Sequence, residues 1–220
     1  MEYALELSGV CKHYSDFSLQ NVSYRLPKGS IMGFIGENGA GKTTTIKAIL
    51  NLIHPDAGEI RILGRDSRKE EPQARAETGV VLDTCCFYPT LRVRQINRIL
   101  KQIYPTWDEA LFFSYTSRFQ LPAAKPVKDF SKGMRMKLNI ACALAHRPKL
   151  LLLDEATSGL DPVMRDQFLD LLLEFIQEED HSVLFSTHIT SDLEKVADYI
   201  TFLQQGRIVF SEAKDVLTER

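Results

Sequence analysis

The stretch Ser30–Leu50, "SIMGFIGENGAGKTTTIKAIL", decides the fold. Its opening, Ser30 to Gly36, is a compact apolar run of the kind found in strands buried on both faces of a parallel sheet. Its end, read on as "KTTTIKAILNLI" to Ile53, has helical spacing and stops at "HPDAG", where Pro55 and Gly58 break it. Between them "GENGAGKT", Gly36–Thr43, satisfies G-x-x-x-x-G-K-[ST] at every fixed position. The glycines of such a loop let successive backbone N–H groups face inward at phosphate oxygens. The following helix aims the positive end of its dipole at the same point. In that setting Lys42 reaches the β- and γ-phosphates, and Thr43 offers its hydroxyl to Mg²⁺.

Upstream, "YALELSGV" and "FSLQNVSYRLP" alternate apolar and polar residues, which predicts antiparallel strands joined by short turns. Downstream, "KLLLLD" (Lys149–Asp154) and "SVLFST" (Ser182–Thr187) are two more buried-strand candidates. A helix opens between them on Asp161 and Pro162, an N-cap and first-turn pair, and runs through "VMRDQFLDLLLEFIQEE". Strands alternating with helices give an α/β core with a mostly parallel sheet. From Asp83 to His146 the pattern is helical, broken at Pro89, Pro105, Pro122 and Pro126, with no buried strand. The expected division is therefore a core with its β subdomain over 1–82 and 149–220, and an inserted helical subdomain over 83–148. Eight aromatic residues lie between Phe87 and Phe119, as the lobe's own small core or as a groove for a partner.

The strand "LLLLDE" completes the chemistry. An Asp at the carboxyl end of a buried strand faces the phosphate loop across the sheet edge, so Asp154 can hold Mg²⁺ through water. Glu155, one residue on, is placed to polarise an attacking water as a general base. His188, just past "SVLFST", can bond the γ-phosphate and orient that water. Its bland alternative is a satisfied polar residue at a helix start.

Composition narrows the class without naming it. The chain has 220 residues, 44% hydrophobic and 25% charged, with 27 Lys+Arg against 29 Asp+Glu, which is ordinary globular composition. A net charge of -2 gives no general polyanion-binding signature, so no nucleic-acid partner is expected. The four cysteines, Cys11, Cys85, Cys86 and Cys142, lack zinc-type spacing, and adjacent Cys85 and Cys86 read as free thiols. No run approaches the roughly 20 apolar residues that span a bilayer, and no secretion signal opens the chain. A cytoplasmic chain is expected, serving any membrane as a bound peripheral subunit.

In order along the chain these motifs resemble those of the ATP-binding subunits of ABC transporters, from "VCKHYSDFSLQNVS" to "LQQGRIVFSEA". The resemblance implies a P-loop NTPase core with an N-terminal antiparallel β subdomain and an inserted helical subdomain. It implies that Tyr14 stacks on adenine, though it can also be read as a surface tyrosine of the β subdomain. It implies that Gly36, Glu37, Asn38, Gly39, Ala40, Gly41, Lys42, Thr43 and Thr44 hold ATP, and that Glu155, His188 and Lys42 are catalytic. Ser158, Gly159, Leu160 and Asp161 match the loop that lies along the family's dimer interface.

Two motifs depart from the family. Asp83 in "GVVLDTCC" stands where the family has Gln; it keeps an oxygen for Mg²⁺ beside Thr43 and Asp154, but cannot donate a hydrogen bond. It can also be read as a turn-initiating residue. "FSKGM" aligns with the signature LSGGQ, keeping Ser131 and Gly133 while Lys132 and Met134 replace Gly and Gln. In the family this segment starts a helix aimed at the nucleotide of the opposite subunit.

The implied function is an ATPase that works as a head-to-tail dimer, identical or mixed, with ATP and Mg²⁺ at the interface, driving a multi-span permease at the inner face of the membrane. The short chain and altered signature look like bacterial export subunits of the drug or peptide-antibiotic class. A soluble non-transport ABC ATPase and a non-hydrolysing regulatory module are the alternatives.

Overall fold

The computed structural model describes residues 2–84 and 87–218, so Cys85 and Cys86, read above as free thiols, lie outside the described residues. The strands are β1 (Tyr3–His13), β2 (Ser18–Pro27), β3 (Ile31–Ile35), β4 (Ala57–Ile62), β5 (Arg65–Asp66), β6 (Thr78–Val81), β7 (Leu150–Asp154), β8 (Ser182–Ser186), β9 (Tyr199–Gln204) and β10 (Arg207–Ala213). The helices are α1 (Lys42–Ile49), α2 (Glu71–Ala76), α3 (Val93–Ile103), α4 (Glu109–Arg118), α5 (Lys132–Ala145), α6 (Pro162–Phe175), α7 (Thr190–Val196) and α8 (Lys214–Thr218).

The alternating N-terminal residues form the antiparallel sheet β2-β1-β4-β5, apolar face inward. The apolar runs form a second sheet, β10-β9-β3-β8-β7-β6, parallel except for the edge strand β10. Side chains of β7 divide by parity, as a strand's period of two requires. Leu150 and Leu152 join a core with α1 and the antiparallel sheet, while Leu151 and Leu153 join a core with α5, α6 and the helical segment. Helix α1 is thus held between two sheets, with Ile46 and Ile49 fully buried, each contributing roughly 1.5–3 kcal/mol.

Helix α1 ends at Ile49, before the expected Ile53, because Asn51 adopts a left-handed φ of 53°. That conformation lets Leu52 N–H return to Lys47 O at 2.9 Å and closes the last turn. Helix α6 starts where expected, with Asp161 accepting from Met164 N–H at 3.0 Å, and ends at Phe175.

Between β6 and β7 the named elements are helices α3, α4 and α5 and one 3₁₀ turn, Val127–Asp129. Most aromatics there pack on one another: Trp107 lies 5.2 Å from Phe112, and Tyr115 lies 6.1 Å from Phe119. Tyr88 is 73% exposed. The apolar core continues from these helices into the sheet through Met136, Leu138 and Ala141 of α5.

Candidate nucleotide site

The phosphate loop leaves β3 at the carboxyl edge of the parallel sheet and turns at Gly41, whose φ of 112° puts it in the left-handed region. A Cβ at Gly41 would lie 2.6 Å from Phe17 Cζ and 2.7 Å from Leu19 Cδ2, so the loop is pressed on the β1–β2 turn. Lys42 is 6% exposed, and its Nζ donates to the carbonyls of Gly36 at 2.6 Å and Glu37 at 3.3 Å. Its ammonium is therefore arched over the loop it belongs to, ready to share its charge with a phosphate. Thr43 Oγ1 donates to Asp154 Oδ2 at 2.8 Å, joining α1 to the end of β7 across the intervening β8.

The acidic side of the site comes from adjacent strand ends. Asp154 of β7 is in register with Ser186 of β8, so the residues that follow each strand emerge together. Glu155 N–H donates to Ser186 O at 2.9 Å and fixes the turn. Glu155 has φ of 53°, a left-handed backbone that costs a non-glycine residue on the order of 1 kcal/mol. The turn brings its Oε2 to 2.6 Å from His188 Nδ1 and its Oε1 to 3.6 Å from Lys42 Nζ. Asp154 is buried, with no hydrogen-bond partner on Oδ1. Burial raises its pKa, the Thr43 hydroxyl opposes the shift, and the negative charge of Glu155 adds to it. The charge of Asp83, exposed just past the end of β6, adds a smaller push in the same direction.

A cavity of about 490 Å³ opens beside the loop, lined by Asp16, Phe17, Asn38, Lys42, Thr44 and Glu155 among others. None of residues 131–134 lines it. Ser131 instead caps α5, its Oγ accepting from Met134 N–H at 3.2 Å. A Cβ at Gly133 would meet nothing closer than ordinary contact, the nearest atom being Leu160 Cδ2 at 3.9 Å. The Lys132 side chain lies across Gly159, with Nζ 3.2 Å from where a Cβ there would stand. Ser131–Met134 and Ser158–Asp161 are thus neighbours on one surface, away from the phosphate loop of their own chain.

A family model described as ABC transporter matches residues 19–158, more than half of the chain. The chain belongs to the ABC transporter family. It is 31% identical over 212 residues to a bacitracin transport ATP-binding protein of Enterococcus faecalis, covering 95% of this chain and 69% of that one. It is 30% identical over 214 residues to a lantibiotic transport ATP-binding protein of Streptococcus pyogenes, covering 96% and 91%. A solved structure of an ATP binding subunit of an ABC transporter superposes with a TM-score of 0.89 at 28% identity, covering 98% of this chain and 92% of that chain. This ABC chain is an ATP-binding subunit with ATPase activity.

Within the ABC subunit, the structure brings Lys42, Thr43, Asp154, Glu155 and His188 into one cluster. It sets Tyr14 apart from the cavity lining: Tyr14 is 47% exposed, with Lys12 Nζ 5.7 Å above its ring. The side chains from that turn which do line the cavity are Asp16 and Phe17. Sequence reasoning passed over both, although their place in a short turn just upstream of the loop marked them as close to it. No helix among the described residues is long and apolar enough to cross a membrane.

Proposed function

We propose that this subunit hydrolyses ATP at the interface of a head-to-tail pair and so powers export by a multi-span permease at the inner face of the membrane. The observation that carries it is the Glu155–His188 contact at 2.6 Å, opposite a buried Lys42. Glu155 Oε1 accepts the proton of the attacking water, while His188 holds Oε2 through Nδ1 and turns Nε2 toward the γ-phosphate. Lys42 leaves the loop carbonyls for the β- and γ-phosphates, which compete for it with full negative charge. Tyr14 stacks on adenine, and residues 36–44 wrap the phosphates.

Two donors suit Mg²⁺: Asp154 has one buried oxygen without a partner and another that accepts from the Thr43 hydroxyl, and Asp83 would supply a further oxygen. Among the described residues no group of three or more His, Cys, Asp or Glu is gathered for a metal. When bound, the cation neutralises phosphate charge as the bond to the leaving group lengthens.

Ser131, Lys132, Gly133 and Met134 of one subunit close over the nucleotide of the other, guided by Ser158–Asp161. Lobe 83–148 moves against 1–82 and 149–220, and a permease helix docks beside Asp83 and anchors a side chain in the cavity of about 240 Å³ lined by Leu82, Thr84, Phe87, Leu100 and Tyr104 among others. The names of the bacitracin and lantibiotic relatives support a substrate of the peptide-antibiotic class.

The test is Glu155→Gln in the transporter reconstituted in vesicles. Phosphate release falls by roughly 10²–10⁴, while ATP binding by the subunit persists. With ATP and Mg²⁺ the Glu155→Gln subunit sediments at doubled mass. Equal turnover in the variant would remove Glu155 as the base, and a persistent monomer would remove the paired site.

A further inference from the structure

Beside the hydrolytic pair sits a second charged pair that the chemistry above does not use. Asp192, four residues beyond His188 and inside α7, is 2% exposed, and its Oδ2 has no hydrogen-bond partner. Facing it from the start of α6 is Arg165, whose Nε stands 4.0 Å from Asp192 Oδ1 and is likewise buried without a partner. Atoms of opposite charge are thus brought together out of water and stopped about 1 Å short of a charge-assisted hydrogen bond. Leaving the pair unmade is unfavourable chiefly for Asp192, which has lost water without gaining Arg165.

Location gives the gap its meaning. Arg165 N–H is bonded to Asp161 O at 2.9 Å, so Arg165 moves with the loop Ser158–Asp161. Asp192 N–H is bonded to Ile189 O at 3.2 Å, so Asp192 moves with the turn that carries His188. The same two helices also meet at the surface, where Lys195 and Asp166 pair at 2.6 Å.

We propose that Arg165 and Asp192 are positioning residues that couple the loop Ser158–Asp161 to His188. Pressure from a second subunit on that loop draws Arg165 onto Asp192, and the closed pair fixes α7 with His188 in line with Glu155. The proposal rests on the reading of Glu155 and His188 as the hydrolytic pair.

The experiment measures steady-state ATP hydrolysis by the reconstituted transporter with Asp192→Asn, Asp192→Glu, Arg165→Gln and the double variant Asp192→Asn/Arg165→Gln, separating kcat from KM. Each single removal of charge lowers kcat about tenfold and leaves KM within about twofold, since a misplaced group costs rate without touching the nucleotide contacts. The double variant is no slower than the slower single, because the partners act only through each other. Asp192→Glu, still able to reach Arg165, keeps most of the rate.

An unchanged kcat, a KM that rises as kcat falls, or single effects that multiply in the double variant overturns the proposal. If Asp192→Asn does not fold, Arg165→Gln, on a partly exposed side chain, and Asp192→Glu decide it by the same criteria. Glu155→Gln is run alongside. Full turnover there overturns the hydrolytic pair itself, whereas a dead Glu155→Gln with a fully active Asp192→Asn overturns the positioning role alone.

Discussion

The two segments that meet nucleotide in the proposed dimer are built in opposite ways. Around the phosphate loop the side chains are already engaged with one another, Lys42 with its own carbonyls, Thr43 with Asp154, and Glu155 with His188, while one buried oxygen of Asp154 is left without a partner. Around Ser131–Met134 the first two side chains are exposed, and an added Cβ at Gly133 would meet its neighbours only at ordinary contact distance, 3.9 Å from Leu160. The first is a preorganised pocket that needs a ligand; the second is a helix start that needs another molecule. Damage to the first is expected to show in the isolated subunit, and damage to the second only when two subunits meet.

The sharpest break of this contrast is Gly41→Ala. The added methyl would lie 2.6 Å from Phe17 at a φ of 112°, so the loop must deform. ATP affinity of the isolated subunit falls by more than about 10²-fold, given that left-handed strain and collision each cost on the order of 1–3 kcal/mol. Equilibrium titration with a fluorescent ATP analogue measures this directly. Retained affinity would show that the loop is not held by the β1–β2 turn.

Its counterpart is Ser131→Arg, which fills the open surface. The isolated subunit keeps its ATP affinity and loses only the α5 cap, about 1 kcal/mol of stability, while ATP-dependent dimerisation, followed by sedimentation in the Glu155→Gln background, weakens by at least about tenfold through lost complementarity. Loss of ATP binding by the monomer would erase the distinction between the halves.

A smaller effect sharpens the first half alone. Tyr14→Ala weakens ATP binding roughly tenfold, the loss of one stacked base worth about 1–3 kcal/mol, and leaves binding of tripolyphosphate unchanged. If Phe17→Ala reproduces that base-specific loss and Tyr14→Ala does not, the aromatic platform is Phe17, the residue found lining the cavity.

The smallest expected effect concerns pH and lies outside both halves. His146 is buried against Tyr104 at 4.2 Å, and burial lowers its pKa. The folded form therefore resists a proton that the unfolded chain accepts near pH 6.5, so stability is full above that value and declines as pH falls below it. The slope is at most about 1.4 kcal/mol per pH unit. Melting temperatures from pH 7.5 to 5.5 should drop more for the wild type than for His146→Gln, and parallel curves would refute it.

What the sequence disclosed follows from how local each signal is. The phosphate loop, β3, β7, β8 and the cap at Asp161 are each written within a few consecutive residues, and they stand where expected. The strand β6 was missed because Thr78–Val81 is too short for a period to show. The pair β9 and β10 was missed although Gln205 and Gly206, with φ of 48° and 75°, form the tight turn between them. A glycine after a polar residue between two alternating runs was a readable hairpin signal. The left-handed Asn51 that shortens α1 was likewise visible only as an asparagine. The Glu155–His188 contact depended on the lateral order β8-β7, which no single stretch of sequence contains. The setting of Asp83 is similar: its effect on Asp154 comes through space, from the end of a neighbouring strand.

Helix α1 was described as lying between two sheets, with Thr45, Ile46, Ala48 and Ile49 almost wholly out of solvent. In mechanical terms it is the anvil of the machine. A rod gripped on two sides has little freedom to give. Helix α3, with Ile99 and Ile103 exposed, is less enclosed. Under the proposed function, the stroke falls to the periphery, and the residues proposed to grip ATP stay still.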